Sequence, residues 1–157
     1  GAGRRSEVDG GMNDTGYEEQ KARLHILEER WIETLGLRAW KINYIYVRSD
    51  FTADGEPAPN TLATCKAEWK YNLATLEWNI PAVADHADRD LERIFLHECM
   101  HIFLHEVRAV GTVGESRSLQ DFYDREHEEH VATMLGNAFL WTREAVTREI
   151  AAKYEGC

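Results

Sequence analysis

The chain has 157 residues, of which 43% are hydrophobic and 10% aromatic, and its formal net charge at neutral pH is -10. This length and composition suit one globular domain with a buried core, and they exclude a chain that is disordered throughout. Proteins bind nucleic acid and anionic membrane surfaces mainly through Lys and Arg, so the acidic balance argues against both as partners.

The cysteines and the N-terminal segment give an expectation about location. Three cysteines are too few for a disulfide framework, and the first residues contain no apolar core of a secretory signal. No apolar run reaches the roughly 18 residues of a membrane span. These features predict a cytoplasmic protein with reduced thiols. Residues 1–14 are expected to be disordered or derived from a tag, and residues 15–157 to form a single domain.

The first predicted element is a helix over Tyr17–Leu35, where apolar residues recur at helical spacing. Thr15 and Glu18 precede this pattern with the spacing of a capping box. Residues 40–47 have the composition of a strand, and apolar side chains on both of its faces predict burial on both sides. Asp, Gly and Pro mark residues 49–60 as a loop.

Residues 62–81 are predicted to form two strands around a turn near Lys70–Leu73. In the second strand, Ala74–Ile80, apolar and polar residues alternate, and Pro81 ends the pattern. This strand directly precedes the next helical segment.

The C-terminal half is predicted to be helical. A second helix begins near Asp88, a favourable N-cap, and runs to about Arg108. A third helix begins near Ser118. A break near Thr142 is expected to separate it from a last helix, because an unbroken rod of roughly 50 Å is too long for this domain. The order of helix, three strands and helices predicts an α+β fold with a small three-stranded sheet, either mixed or antiparallel.

The second predicted helix contains an H-E-x-x-H motif formed by His97, Glu98 and His101. Residues four apart project from the same side of a helix, so the two histidines can present their imidazole nitrogens to one metal ion. Glu98 lies about 100° away around the helix axis, where it reaches a water on the ion rather than the ion itself. This arrangement is typical of metal-assisted hydrolysis with the glutamate as general base.

A core helix whose histidines hydrogen-bond internally is the alternative to a metal site. The residues around the motif are uncharged, which predicts a buried helix. Burying two histidines with nothing to bind would leave polar groups unpaired at a cost in free energy. The motif therefore favours a metal site over a histidine-rich core helix.

A catalytic zinc requires a third protein ligand and an open coordination position. His105 continues the row of histidines, but it lies too far along the helix to share the ion, and we expect it either behind the ligands or at the rim. The third helix offers better candidates. Its apolar face, through Val131 and Leu135, extends back to Glu128, which we favour as the ligand. The alternatives from the same run are His127, Glu129 and His130.

With these residues placed, the sequence resembles the gluzincin branch of the zincin metallopeptidases, and most closely the minimal gluzincins of phages and bacteria. The resemblance rests on the H-E-x-x-H motif at 97–101 and the glutamate pair at 128–129, and it covers roughly residues 20–142 in the order of elements. It implies a zincin-like fold, a Zn²⁺ ion, a water nucleophile and peptide bonds as substrate. It also implies that the first glutamate of the pair is the ligand.

The same resemblance implies a position for the substrate. In such proteins the strand before the H-E-x-x-H helix lies at the edge of the cleft, and a peptide or protein substrate can add to it as an extra strand. In this chain the strand would be residues 74–80.

The motif does not identify the residue that would stabilise the oxyanion formed during peptide hydrolysis. The candidates near the start of the third helix are Tyr123, His127 and His130. The alternative function is therefore a zincin-fold module that binds peptides or proteins, with a structural zinc and little or no catalysis. An open coordination position and a free glutamate favour the enzyme, because a structural zinc is usually closed by four protein ligands.

Overall fold

A computed structural model describes residues 13–48, 62–111 and 117–154, without the side chains of Trp69 and residues 106–125. The helices are α1 (Asp14–Thr34), α2 (Ile80–Val83), α3 (Asp88–Gly111) and α4 (Arg117–Tyr154). The strands are β1 (Lys41–Val47), β2 (Ala63–Glu68) and β3 (Leu73–Asn79). These elements form an α+β fold with a small mixed sheet, as the order of the predicted elements indicates.

Helix α1 begins earlier than its predicted start at Tyr17. Asn13 caps the helix by accepting a hydrogen bond from the Gly16 backbone N–H at 2.8 Å. The predicted capping pair, Thr15 and Glu18, therefore lies inside the helix, because an Asn side chain satisfies the first free N–H groups as well as a Thr does. The apolar face of α1 packs into the core through Leu24, Leu27 and Trp31.

The sheet has the strand order β1–β3–β2, with β1 parallel and β2 antiparallel to β3. β3 is therefore the central strand, and the prediction that residues 74–80 lie at the sheet edge is wrong. The cause is the connection of the chain, which returns β3 between β1 and β2. Among the described residues, the strand that forms the edge beside the helices is β2.

Strand β1 buries only one of its faces. Its core side carries Ile42, Tyr44 and Tyr46, whereas Ile45 on the other side is 45% exposed. The prediction that both faces are buried is wrong. The buried side chains of β3, such as Leu76 and Trp78, project from the same side of the sheet as these three residues, so the core lies on that side.

Helix α3 is the central helix of the core. It begins at the predicted residue Asp88 and continues to Gly111. The Trp78 and Phe95 rings stack with centroids 6.3 Å apart, which joins the sheet to the turn before the H-E-x-x-H motif. Most of the uncharged neighbours of the motif are buried, as predicted: Phe95, Leu96, Cys99, Met100 and Ile102. The exceptions are Ile94, which is half-buried, and Phe103, which is 43% exposed.

Helix α4 runs without a break through all 38 residues from Arg117 to Tyr154, so the predicted break at Thr142 is wrong. The Thr142 hydroxyl bonds to the Ala138 carbonyl within the helix at 2.8 Å. The expectation assumed that every helix fits within the core, whereas the last turns of α4 are exposed, with Tyr154 at 78%. None of the helices in the described ranges has an apolar stretch sufficient to cross a bilayer.

Glu92 connects three helices from a buried position on α3. Its side chain is 8% exposed. Its Oε1 accepts hydrogen bonds from the Trp31 indole at 2.7 Å and from Arg30 on α1 at 3.0 Å. Arg143 of α4 donates to the same oxygen. This carboxylate therefore ties α1 and α4 to the helix that carries the motif.

Replacing Glu92 is expected to destabilise the protein. We expect Glu92→Ala to lower the free energy of unfolding by about 2–3 kcal/mol, because the buried Trp31 N–H and two guanidinium groups lose their acceptor. Arg30 and Arg143 are 37% and 38% exposed, so solvent compensates them in part. Urea unfolding measures the change. The matched control is Glu144→Ala, whose pair with Arg89 lies at the surface, and an equal loss in both variants would contradict this role.

Candidate metal centre

The candidate site lies where α4 packs against α3. The close approach depends on small residues of α4: Ala132 is fully buried, and Gly136 faces the α3 backbone. A Cβ atom at Gly136 would lie 3.1 Å from the His97 backbone nitrogen, tighter than ordinary contact. The absence of a side chain at 136 thus brings the two helices close enough for α4 to reach the His97 and His101 rings.

The buried face of α4 differs from the predicted one. Val131 and Leu135, which were expected to face the core, are each 38% exposed. The face that packs on α3 instead contains Ala132, Gly136 and Leu140. Sequence reasoning followed the large apolar residues and missed the small ones. Their spacing of four residues was the available signal, and the same face continues back to Glu128 after four residues and to Glu129 after three.

The two motif histidines face each other. Their Nε2 atoms are 3.1 Å apart, and their rings are nearly perpendicular, at 79°. The other nitrogen of each ring is held by α4: His97 Nδ1 lies 3.1 Å from the Thr133 hydroxyl, and His101 Nδ1 lies 2.9 Å from Glu128 Oε1. These contacts orient both rings so that their Nε2 atoms point at one place. Thr133 was not among the predicted site residues.

Glu129 completes this group. Its Oε2 lies 3.1 Å from His97 Nε2, and its Oε1 lies 3.3 Å from His101 Nε2. One ligand atom from each of the three residues lies within 4.8 Å of the others, a cluster that could hold a metal ion. Glu128, the favoured candidate from the sequence, is on the Nδ1 side of His101 instead. The geometry thus favours its neighbour Glu129 as the third ligand.

The chemistry of these groups fits a cation. A carboxylate can only accept, so in the tautomer that suits a metal the His101 Nδ1–H donates to Glu128 and the Nε2 lone pair is left for the ion. That lone pair points at the Glu129 carboxylate, an arrangement that a cation between them stabilises. Zinc binds imidazole nitrogen at about 2.0–2.1 Å. The two Nε2 atoms are close enough together for one ion to lie at that distance from both.

Burial sets the electrostatics around the motif. Desolvation lowers the pKa of His97, and the neighbouring His101 lowers it further, which favours the neutral ring that a metal requires. Glu98 is 8% exposed, and burial raises its pKa to about 7, with Glu129 acting in the same direction. Glu98 is thus a buried carboxylate beside the three candidate ligands rather than one of them.

A cleft of about 570 Å³ opens over these groups. Strand β2 forms one wall with residues 63–67, and α3 and α4 form the other. His105 lines the cleft, in agreement with its predicted place at the rim. The cleft therefore combines the candidate ligands, the buried Glu98 and an edge strand.

The predicted oxyanion stabilisers are not part of the described cleft. His127 and His130 are exposed and do not line it. The side chain of Tyr123 lies outside the described residues. Of the candidates named from the sequence, the structure therefore brings together His97, Glu98, His101, Glu128 and Glu129.

Comparisons of this chain with protein-family models, curated proteins and solved structures found no match. The functional interpretation therefore depends on the residues of the chain and their geometry.

Proposed function

We propose that this chain is a zinc-dependent metallopeptidase of the gluzincin type. The observation that carries the proposal is the convergence of two imidazole nitrogens and the Glu129 carboxylate beside the buried Glu98. A His2Glu set with a position left for water is typical of catalytic zinc in peptidases. Zinc is favoured over other divalent metals by this set of ligands.

Each residue of the site has a role in this proposal. His97, His101 and Glu129 would hold the ion, which would supply Lewis acidity at the site. Glu98 would accept a proton from the attacking water and return it to the leaving nitrogen of the peptide. Glu128 and Thr133 hold the Nδ1 atoms and thereby keep both rings turned toward the ion.

The proposed substrate is an extended peptide that adds to β2 as a further strand. Asn79 N–H donates to the Leu62 carbonyl, so this directly opposite pair is hydrogen-bonded. Hydrogen-bonded and non-hydrogen-bonded pairs alternate in an antiparallel ladder, and the backbone groups of Ala63, Cys65 and Ala67 therefore point away from β3, along the cleft wall. Residues 63–67 replace residues 74–80 as the docking strand in the proposal.

Adjacent alanine variants test the assignment of the third ligand. We expect Glu129→Ala to weaken zinc binding more than Glu128→Ala, because the first removes a ligand and the second only an orienting partner. Loss of such a partner typically costs about 10–100-fold in metal affinity. Titration against a competing chelator measures both affinities. A greater loss in Glu128→Ala would return Glu128, the choice from the sequence, to the ligand set.

A chelator-controlled cleavage assay tests the activity. The zinc-loaded protein is incubated with a broad peptide library, and the expected result is cleavage that stops when the chelator removes zinc and returns when zinc is restored. One observation favours the alternative of a non-catalytic binding module, namely that His127 and His130 lie outside the cleft. Bound zinc and bound peptide without any cleavage would support that module and contradict the peptidase.

A further inference from the structure

The central N–H group of the β2 edge faces the buried Glu98 carboxylate. The register places the Cys65 N–H on the side of β2 away from β3, and α3, which carries Glu98, packs against β2. Cys65 and Glu98 line the same cleft, and Glu98 is 8% exposed. A buried carboxylate is stabilised by hydrogen-bond donors, and the Cys65 N–H is one within reach of Glu98.

We propose that the backbone N–H of Cys65 donates a hydrogen bond to Glu98 and thereby positions the general base. The catalytic meaning of this bond rests on the proposed peptidase function, whereas the bond itself does not. The donor belongs to the main chain, so its place is determined by the pairing of β2 with β3 rather than by a side-chain rotamer.

The same bond determines how a substrate can pair with β2. Glu98 occupies the Cys65 N–H, so an added peptide strand is left with the Cys65 carbonyl and the outward groups of Ala63 and Ala67. Each of these alanines lies two residues from Cys65, which corresponds to about 6.8 Å along the strand. The substrate backbone is therefore expected to pair on either side of Cys65, with its scissile bond near Glu98.

Amide hydrogen exchange of the metal-free protein tests the bond without any assumption about activity. In the wild type the Cys65 amide is expected to be protected, although it lies on a strand edge. Glu98→Ala should accelerate its exchange by roughly 10–100-fold, the range for a hydrogen bond to a charged group. Glu98→Gln should keep most of the protection, because its amide oxygen still accepts. The Ala67 amide on the same edge is the internal control.

Either of two exchange results would overturn the proposal. One is a wild-type Cys65 amide that exchanges as fast as that of Ala67. The other is an equal rate for Cys65 in the wild type and in Glu98→Ala.

A pair of variants at position 65 tests the catalytic meaning. Cys65→Ala and Cys65→Pro both remove the thiol, but only proline removes the N–H, and an outward N–H of an edge strand is a position where proline is tolerated. With zinc content and unfolding midpoint recorded for both, kcat should be roughly 10–100-fold lower in Cys65→Pro than in Cys65→Ala, with a smaller change in KM. Equal kcat values in two folded, zinc-loaded variants would refute the positioning role.

Absence of cleavage by the wild type would refute the peptidase but leave the exchange result valid.

Discussion

Glu98→Gln is expected to abolish peptide hydrolysis while the protein stays folded and binds zinc. The substitution keeps the size of the side chain but removes the carboxylate that accepts a proton from water. General base catalysis contributes about 100- to 10,000-fold to the rate, so kcat should fall by at least this factor. Zinc affinity should change little, because Glu98 is not among the three residues whose ligand atoms converge.

The measurement is the initial rate of cleavage at saturating substrate, with zinc content determined on the same samples. The matched control is Glu77→Gln, a carboxylate on the exposed face of the central strand, away from the cleft. We expect it to retain the wild-type rate. If Glu98→Gln cleaved as fast as the wild type, the proposed mechanism would be wrong, whatever the zinc content.

His101→Ala is expected to eliminate zinc binding, the second large effect. His101 lies at the centre of the site: its Nε2 faces both His97 and Glu129, and its Nδ1 is bonded to Glu128. The wild type should retain a single zinc per chain after dialysis, and the variant none. Ligand binding stabilises the folded state by about 2.7 kcal/mol at a free concentration of 100 times Kd, so a chelator should lower the Tm of the wild type only.

His130→Ala is the control for this experiment. His130 is on α4 close to Glu129 in sequence, but it is exposed and lies outside the cleft, so its loss should leave zinc content and the chelator effect intact. A wild-type protein that takes up no zinc on reconstitution would show that the H-E-x-x-H motif is a coincidence. Equal zinc content in the wild type and His101→Ala would place the metal elsewhere.

Local patterns in the sequence were sufficient for most of the elements. Hydrophobic periodicity predicted α1, the three strands and the start of α3 near Asp88, because it depends on neighbouring residues. The motif placed His97 and His101 on one side of a helix for the same reason. The continuity of α4 through Thr142 was missed, because the argument against a long helix concerned the size of the domain and not the residues around Thr142.

The choice between adjacent glutamates could not be made from hydrophobic periodicity. Glu128 and Glu129 lie about 100° apart on the helix, and the face of Ala132 and Gly136 reaches the first after four residues and the second after three. Only the contacts separate them, because Glu128 lies on the Nδ1 side of His101 and Glu129 on the Nε2 side. The large residues Val131 and Leu135 suggested one face, whereas the contact uses Ala132 and Gly136. Small residues carry little hydrophobic signal, yet they determine how closely two helices pack.

What the sequence determined by itself is therefore the local chemistry: an α+β order of elements and a helix with two histidines and a glutamate in the H-E-x-x-H arrangement. Only the tertiary structure decided which carboxylate joins the histidines, that Glu128 and Thr133 hold their far nitrogens, and that β2 forms the cleft wall. The physical reason is the range of the interactions. Helical and strand periodicity follows from residues a few positions apart, whereas strand order and helix contact depend on side chains that meet across the fold.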